Sequence, residues 1–242
     1  MIQKIALFIM SIFDFFYQKK ILFFLKKSNL SNMNLLLDVG AHRGESINLF
    51  LRNMKVKKII SFEASPINFE FLKKKQKVYT KKFIDTEIII ENIALGSENK
   101  MIEFKHFNES SSSTIKNINE ESKYFKRKFS LLNLFSKEKV YQKFQIKIQR
   151  LYEYIEDNNI STIDFLKIDT EGYEYEILLG LEGKIQLVNV IMFEHHYDNM
   201  IKKNYTFANI NDLLIKNNFK KVYKSRMPFR KTFEYIYFKS EK

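Results

Sequence analysis

The stretch that most constrains the fold is a short apolar run that ends in an acidic residue and leads into two glycines four residues apart. It reads LLLDVGAHRGES over residues 35–46. The apolar run predicts a buried strand, and the pattern after the glycines predicts a helix over Ser46–Asn53. A glycine turn between a strand and a helix lets the backbone approach a ligand, because no Cβ is in the way. This order is typical of a sheet that binds a nucleotide-type cofactor.

The spacing of the glycines distinguishes between cofactors. Dinucleotide sites follow G-x-G-x-x-G, whereas Gly40 and Gly44 give G-x-x-x-G with Asp38 before it. A second strand, predicted over Lys58–Phe62, ends at Glu63, and a carboxylate at such a tip is the expected partner of a ribose diol. These features favour S-adenosylmethionine over NAD. The predicted cofactor-binding residues are Asp38, Gly40, Ala41, Gly44, Glu63, Ala64, Asn92 and Ala94.

Composition sets the broad class of the protein. At 242 residues and 45% hydrophobic content, the chain is expected to form one large α/β domain. It has no cysteine, which excludes disulfides and is compatible with a reducing cytoplasm. We therefore predict a cytoplasmic protein, with peripheral contact to the inner membrane face as an open alternative.

Charge narrows the range of partners. The net charge is +13, yet residues 151–200 carry eleven acidic and only two basic residues. The basic residues follow no nucleic-acid-binding motif, so no nucleic-acid partner is predicted. Basic flanks around an acidic centre suit an anionic substrate, such as a sugar nucleotide, or an anionic membrane surface.

Residues 1–32 are expected to form a helical, apolar N-terminal extension. The first 27 residues are rich in Phe, but Lys4, Asp14, Lys19 and Lys20 interrupt them, and no small-residue cleavage site follows. Three interpretations are open. The favoured one is a pair of helices packed on the domain or on a second subunit of a homo-oligomer. The others are peripheral membrane contact through residues 1–27 and a membrane span.

Strands alternate with helices from residue 34 onward, which predicts a doubly wound, mainly parallel sheet. Residues 33–242 are assigned to this domain, with a basic insertion or lid at about 116–143. The predicted strands are Leu35–Val39, Lys58–Phe62, Glu87–Ile93, Met101–Phe107, Phe144–Gln149, Asp164–Ile168, Asn189–Phe193, Lys220–Tyr223 and Thr232–Phe238. The predicted helices are Ser46–Asn53, Ile67–Lys77, Leu151–Asn158, Glu174–Leu181 and Phe207–Asn217.

A second dense motif, FLKIDTEGYE at residues 165–174, again ends a buried strand in carboxylates beside a glycine. The carboxyl ends of the parallel strands Leu35–Val39 and Asp164–Ile168 flank one crevice. The acidic residues of this motif should therefore meet the cofactor turn. The predicted catalytic residues are Asp169, Glu171 and His196. The predicted substrate-binding residues are Ser112, Ser113, Glu194 and His195.

Each of these assignments has a structural alternative. Asp169 and Glu171 are also suited to capping the next helix. His195 and His196 alternate along one strand, so at most one is expected in the site, and either could simply pack in the core. Ser112 and Ser113 could belong to a plain polar loop. No metal ligand is assigned, since the spacing of the carboxylates is not diagnostic; a divalent metal is possible but not required.

With these motifs in hand, the chain resembles the FkbM-type methyltransferases, a class I S-adenosylmethionine-dependent family. The matching pieces are DVGAHRG at 38–44, FEASP at 62–66, NIALG at 92–96, the serine run, LKIDTEGYE at 166–174 and Phe193-Glu194. The resemblance implies a seven-stranded sheet whose last strand is antiparallel, and methyl transfer to oxygen, commonly a sugar hydroxyl. Two departures are His42-Arg43 in the turn and QRLY at 149–152, to which no role is carried.

The sequence thus predicts an S-adenosylmethionine-dependent O-methyltransferase that acts on a hydroxyl of a saccharide, sugar nucleotide or glycolipid. One alternative is a non-catalytic module with the same fold, attached to a membrane or to a glycan-synthesis complex. An NAD-dependent sugar-modifying enzyme is a further alternative, but it would need the third turn glycine that this chain lacks.

Overall fold

The computed structural model describes residues 2–107, 115–116, 119, 121–122, 125 and 141–240, and of residues 2–12 the backbone only. The helices are α1 Ile2–Lys27, α2 Glu45–Asn53, α3 Pro66–Lys82, α4 Leu151–Asp157, α5 Glu174–Leu179 and α6 Phe207–Lys216, with a 3₁₀ helix at Glu182–Leu187. The strands are β1 Asn32–Val39, β2 Lys55–Phe62, β3 Glu87–Glu91, β4 Ala94–Gly96, β5 Lys100–Phe107, β6 Tyr141–Arg150, β7 Ile163–Ile168, β8 Val188–His196, β9 Phe219–Arg226 and β10 Thr232–Lys239.

The main sheet has seven strands in the order β3-β2-β1-β7-β8-β10-β9. Strands β3, β2, β1, β7 and β8 pair in parallel, whereas β10 runs antiparallel to both β8 and β9. The predicted fold class is confirmed, including the single antiparallel strand. Because the parallel strands share one direction, their carboxyl ends form one edge of the sheet, here called the carboxyl edge.

A second, three-stranded sheet in the order β4-β6-β5 was not foreseen. The predicted third strand continues to Ile93, but β3 ends at Glu91 and the chain turns away into β4, where Ala94 pairs with Ile148. The Asn92 amide donates to the Glu63 carbonyl at 2.8 Å, which fixes this turn. The sequence pattern predicts one strand because Ile93 follows the β-branched run at residues 88–90, although it packs against the core from the turn.

Alternate residues of the central strands face two separate cores. Leu37 and Leu166 pack with α4, α5, α6 and the second sheet, whereas Leu36 and Phe165 pack beneath α1 and α2. All four side chains are buried. Burial on both faces explains why β1 reads as an unbroken apolar run rather than as an alternating one.

The N-terminal extension is one continuous helix, not the predicted pair. Residues 2–27 contain no Gly or Pro to break it, and Lys19 and Lys20 lie on its exposed side, so the charges do not interrupt the backbone. Its inner side buries Tyr17, Ile21 and Leu25 against the sheet. Within the described residues, no helix has the length and apolarity needed to cross a membrane.

Candidate active site

The glycine turn follows β1 at the carboxyl edge and packs against the end of β7. Gly40 has φ +87°, and its N–H donates to the Phe62 carbonyl at 2.9 Å. A Cβ at this position would lie 1.9 Å from the Asp169 carbonyl oxygen, and the Asp169 N–H donates to the Val39 carbonyl at 2.9 Å. Gly44, at φ +85°, precedes α2 in the left-handed region. Only glycine satisfies both the dihedral angle and the close approach at position 40.

Asp38 is fully buried and anchors this turn. The Ser46 hydroxyl donates to one of its carboxylate oxygens at 2.6 Å, and the Lys167 ammonium lies 3.3 Å from the other. The Lys167 ammonium is also 3.2 Å from the Asp169 carboxylate, so one buried cation on β7 connects that strand with β1. Burial lowers the pKa of Lys167, but Asp38 and Asp169 outweigh it and raise the pKa above its usual range. The sequence hinted at this role only by placing a lysine inside an apolar strand.

Glu63 lies at the tip of β2, where its carboxylate is held by main-chain amides. One oxygen accepts from the His42 N–H at 2.7 Å and the other from the Ser65 N–H at 2.8 Å. Burial raises the pKa of Glu63 to about 7. Each carboxylate oxygen can accept a second hydrogen bond, so a diol can bind to the same group.

The other predicted cofactor residues lie around these two anchors. The Ala41 side chain is buried near α2, and its N–H donates to the Phe62 carbonyl at 3.0 Å. Ala64 is half-buried and Asn92 is exposed, whereas Ala94 is buried in the second sheet. Ala64 and Asn92 are thus accessible at the edge, while the Ala94 side chain belongs to the core.

The two bulky residues of the turn face neighbouring helices. The His42 ring nitrogen lies 3.2 Å from a Glu45 carboxylate oxygen, and the Arg43 guanidinium lies 4.4 Å from the centre of the Phe71 ring. Burial favours the neutral acid, but His42 prevails and lowers the pKa of Glu45 to about 2. These basic side chains therefore brace α2 and α3.

The acidic residues of β7 and β8 meet at one histidine. His196 Nε2 lies 3.1 Å from a Glu171 oxygen and 3.0 Å from a Glu194 oxygen. On the other side of the ring, Nδ1 lies 3.1 Å from the Thr232 hydroxyl and 3.7 Å from an Asp198 oxygen. The predicted convergence of Glu171, Glu194 and His196 is thus present in the structure.

This cluster changes the expected role of His196. Burial lowers its pKa, but Glu171, Asp198 and Glu194 outweigh the burial and raise the pKa well above the usual value. Burial and the nearby Asp169 raise the pKa of Glu194 to about 7, although His196 opposes them. A protonated imidazole has no free lone pair for a substrate proton, so Asp169 is the better candidate for the general base. The predicted catalytic roles of Asp169, Glu171 and His196 stay predictions.

His195 lies on the opposite face of β8 and packs among aromatic rings. Its ring centre is 4.8 Å from that of Tyr197, 5.8 Å from that of Phe207 and 6.0 Å from that of Tyr205. Burial lowers the pKa of His195 to about 3, so the ring is neutral. Strand alternation thus places the His195 ring in the core, and its predicted role in substrate binding stays a prediction.

A known family model matches residues 38–221 and is described as the methyltransferase FkbM domain. This match covers about three quarters of the chain. The chain belongs to the FkbM methyltransferase family. Family membership agrees with the predicted enzyme class, a methyltransferase that uses S-adenosylmethionine.

Two solved structures share the fold of this chain. The FkbM methyltransferase from Methylobacillus flagellatus KT has a TM-score of 0.55 and 16% identity, over 85% of this chain and 43% of that one. Magnesium protoporphyrin IX methyltransferase (ChlM) from Synechocystis PCC 6803, solved with bound S-adenosylmethionine, has a TM-score of 0.53 and 10% identity, over 95% and 81% of the two chains. No curated protein sequence matches the chain significantly. The part of the Methylobacillus protein that this chain matches is less than half of that protein's length.

Asp169 and Glu171 do not cap the next helix, contrary to the alternative considered from sequence. The N-cap of α5 is Tyr173, which makes no side-chain capping bond. The buried Glu174 carboxylate instead accepts a hydrogen bond from the Gly172 N–H, at 2.8 Å, just before the helix. In this FkbM methyltransferase the Asp169 and Glu171 carboxylates instead pair with basic groups in the site.

The donor atoms of Glu171, Glu194 and His196 lie within 4.8 Å of one another, close enough to hold one metal ion. Oxygen and imidazole donors suit Mg²⁺ or Mn²⁺. A metal would have to displace the proton of His196, which already offsets the negative charge of the two carboxylates. The absence of a required metal stays a prediction.

Sequence reasoning missed Glu234, a further carboxylate in the FkbM site. It lies directly opposite Glu194 in the antiparallel pair of β10 and β8. It is buried, and one of its oxygens has no hydrogen-bond partner among the described residues. Burial and Glu194 raise the pKa of Glu234 to about 8. Only knowledge of the strand register could have placed it beside Glu194.

Two predicted substrate residues, Ser112 and Ser113, lie outside the described residues, as does most of the basic insertion at 116–143. Lys116 is described: it pairs with Glu176 and lies 5.0 Å from the centre of the Tyr173 ring. The start of the insertion is thus attached to α5.

Proposed function

We propose that the chain transfers a methyl group from S-adenosylmethionine to a hydroxyl of a saccharide, sugar nucleotide or glycolipid. The observation that carries this proposal is the group of carboxylates at the carboxyl edge, beside the glycine turn. Asp169, Glu171 and Glu194 all follow or end strands there. Carboxylates accept hydrogen bonds from hydroxyls, so several of them together suit an acceptor rich in hydroxyl groups.

The cofactor residues follow from the geometry of the edge. Glu63 would bind the ribose diol, because its carboxylate is held in place by two main-chain amides and retains lone pairs. The backbone of the turn from Gly40 to Gly44 would border the cofactor, and Asn92 would lie near its adenine ring. Asp38 would hold the turn in place without touching the cofactor, since its buried carboxylate is already bonded to Ser46 and Lys167. When bound, S-adenosylmethionine supplies a methyl group on a positively charged sulfur, which a hydroxyl oxygen can displace.

Asp169 would take the proton that the acceptor hydroxyl loses. Its side chain is 35% exposed, whereas those of Glu171 and Glu194 are 18% and 8% exposed. The Lys167 ammonium lies 3.2 Å from its carboxylate and holds the side chain in place. His196 would be a positioning residue that holds Glu171 and Glu194 by pairing with their carboxylates. A carboxylate is a weak base, so the orientation of the hydroxyl should supply much of the rate.

The test is methyl transfer to a panel of free sugars, sugar nucleotides and glycolipids. With a reactive acceptor, Asp169→Asn should lower kcat by about 10²–10⁴-fold and leave S-adenosylmethionine binding unchanged. Asp212→Asn, an acidic residue on α6, is the matched control and should keep full activity. If Asp169→Asn keeps its kcat, Asp169 is not the proton acceptor. If the folded protein binds the cofactor but methylates no member of the panel, the saccharide acceptor is refuted.

A further inference from the structure

The outer side of α1 exposes aromatic side chains that the fold does not use. Phe13, Phe15, Phe16 and Phe23 are between 44% and 71% exposed, although the same helix buries Tyr17 against the sheet. A helix that packs on a domain normally has a polar outer side. An exposed apolar face of this kind indicates an interaction surface.

One end of this surface lies at the carboxyl edge. The ring of Phe13 packs edge-to-face on that of Phe229 at 5.1 Å, and Phe229 is itself 70% exposed. Phe229 lies in the turn between β9 and β10, close to Thr232, which pairs with His196. The name aromatic face is used below for Phe13, Phe15, Phe16, Phe23 and Phe229. It begins beside the candidate active site and continues along α1.

Lysines accompany the aromatic rings. The Lys19 ammonium lies 4.4 Å from the centre of the Phe15 ring. A groove of about 570 Å³ follows the same side of the helix. It is lined by Phe16, Lys19, Lys20, Phe23, Phe24, Lys27 and Tyr223. Aromatic rings with lysine ammonium groups beside them match the boundary between acyl chains and anionic headgroups.

Charge also decides between a lipid surface and a second copy of the chain. A symmetric pairing through the aromatic face would bring the lysines of two helices together, and like charges oppose that contact. An anionic bilayer neutralises the same lysines. We propose that the aromatic face docks on an anionic membrane surface, so that the carboxyl edge lies beside the lipid headgroups. This docking is independent of the acceptor proposed above.

The experiment is co-sedimentation of the 242-residue chain with vesicles, without cofactor or acceptor. The chain should bind vesicles that contain phosphatidylglycerol about tenfold more tightly than pure phosphatidylcholine vesicles, and high salt should reduce this preference. The variant Phe16→Ser, Phe23→Ser, Phe229→Ser should lose at least about tenfold in vesicle binding. None of these side chains is buried, so folding should survive, and circular dichroism checks it.

The matched control replaces three exposed apolar residues elsewhere, Val78→Ser, Ile84→Ser and Met101→Ser, which are 60–82% exposed. It should bind vesicles like the unmodified chain. Equal loss of binding in both variants would overturn the proposal, because it would indicate nonspecific adsorption. Absence of binding to anionic vesicles would also overturn it. So would a dimer in light scattering that only the aromatic-face variant dissociates, since the face would then be a subunit interface.

Discussion

Replacing Gly40 by alanine tests the close approach between the glycine turn and the backbone of Asp169. The new Cβ would lie 1.9 Å from the Asp169 carbonyl oxygen, which is backbone and cannot rotate away. The positive φ alone costs alanine about 1–2 kcal/mol, and forced displacement in a packed region about 1–3 kcal/mol more. We expect the free energy of unfolding to fall by about 2–5 kcal/mol, which lowers Tm by about 4–20 °C in a domain of this size.

Two other glycines separate the causes of this loss. Gly183→Ala should change stability by no more than about 0.5 kcal/mol, because outside its own helical turn no atom of the described residues lies within 4 Å of the added Cβ. At Gly180 the Cβ would meet the Gly96 carbonyl oxygen at 1.9 Å without a positive φ, so Gly180→Ala isolates the steric part. Differential scanning calorimetry gives Tm for each variant. The reasoning is refuted if Gly40→Ala melts within the error of Gly183→Ala.

Three further predictions concern charge. The Glu63 side chain should bind ribose better once it is ionised, so the affinity of the unmodified chain for the cofactor should rise with pH through about 7. The affinity of Glu63→Gln should rise less. The same pH dependence of affinity in both proteins would contradict this. The folded state keeps the proton of Glu234 up to about pH 8, whereas the unfolded state loses it near pH 4.5, so the free energy of unfolding should fall as pH rises over this interval. The Tm of Glu234→Gln should therefore rise relative to that of the unmodified chain as pH increases. A Tm difference that does not depend on pH would exclude this. Excess EDTA should leave methyl transfer unchanged, because the proton of His196 already offsets the charge of Glu171 and Glu194; loss of activity that Mg²⁺ or Mn²⁺ restores would establish a metal at these residues.

The cofactor half of the site could be predicted from the sequence because its signals are local. An apolar run, a turn with Gly40 and Gly44, and the carboxylate of Glu63 one strand later each occupy a few consecutive residues. Parallel strands place their ends at the same edge, so chain order alone predicts that these groups meet. The alternation of β8 likewise predicts that His195 and His196 face opposite sides, but not which of them enters the site.

The acceptor half depends on contacts between residues far apart in the chain. The role of Lys167 needs Asp38, 129 residues away, and only the antiparallel register of β10 places Glu234 opposite Glu194. The raised pKa of His196 comes from carboxylates of several elements, which outweigh its burial and which no local pattern encodes. The sequence by itself determined the parallel core, the turn and the cofactor carboxylate, because backbone periodicity and glycine geometry are properties of neighbouring residues. The tertiary structure alone decided which buried charges face one another, since desolvation and pairing depend on elements that meet only after folding.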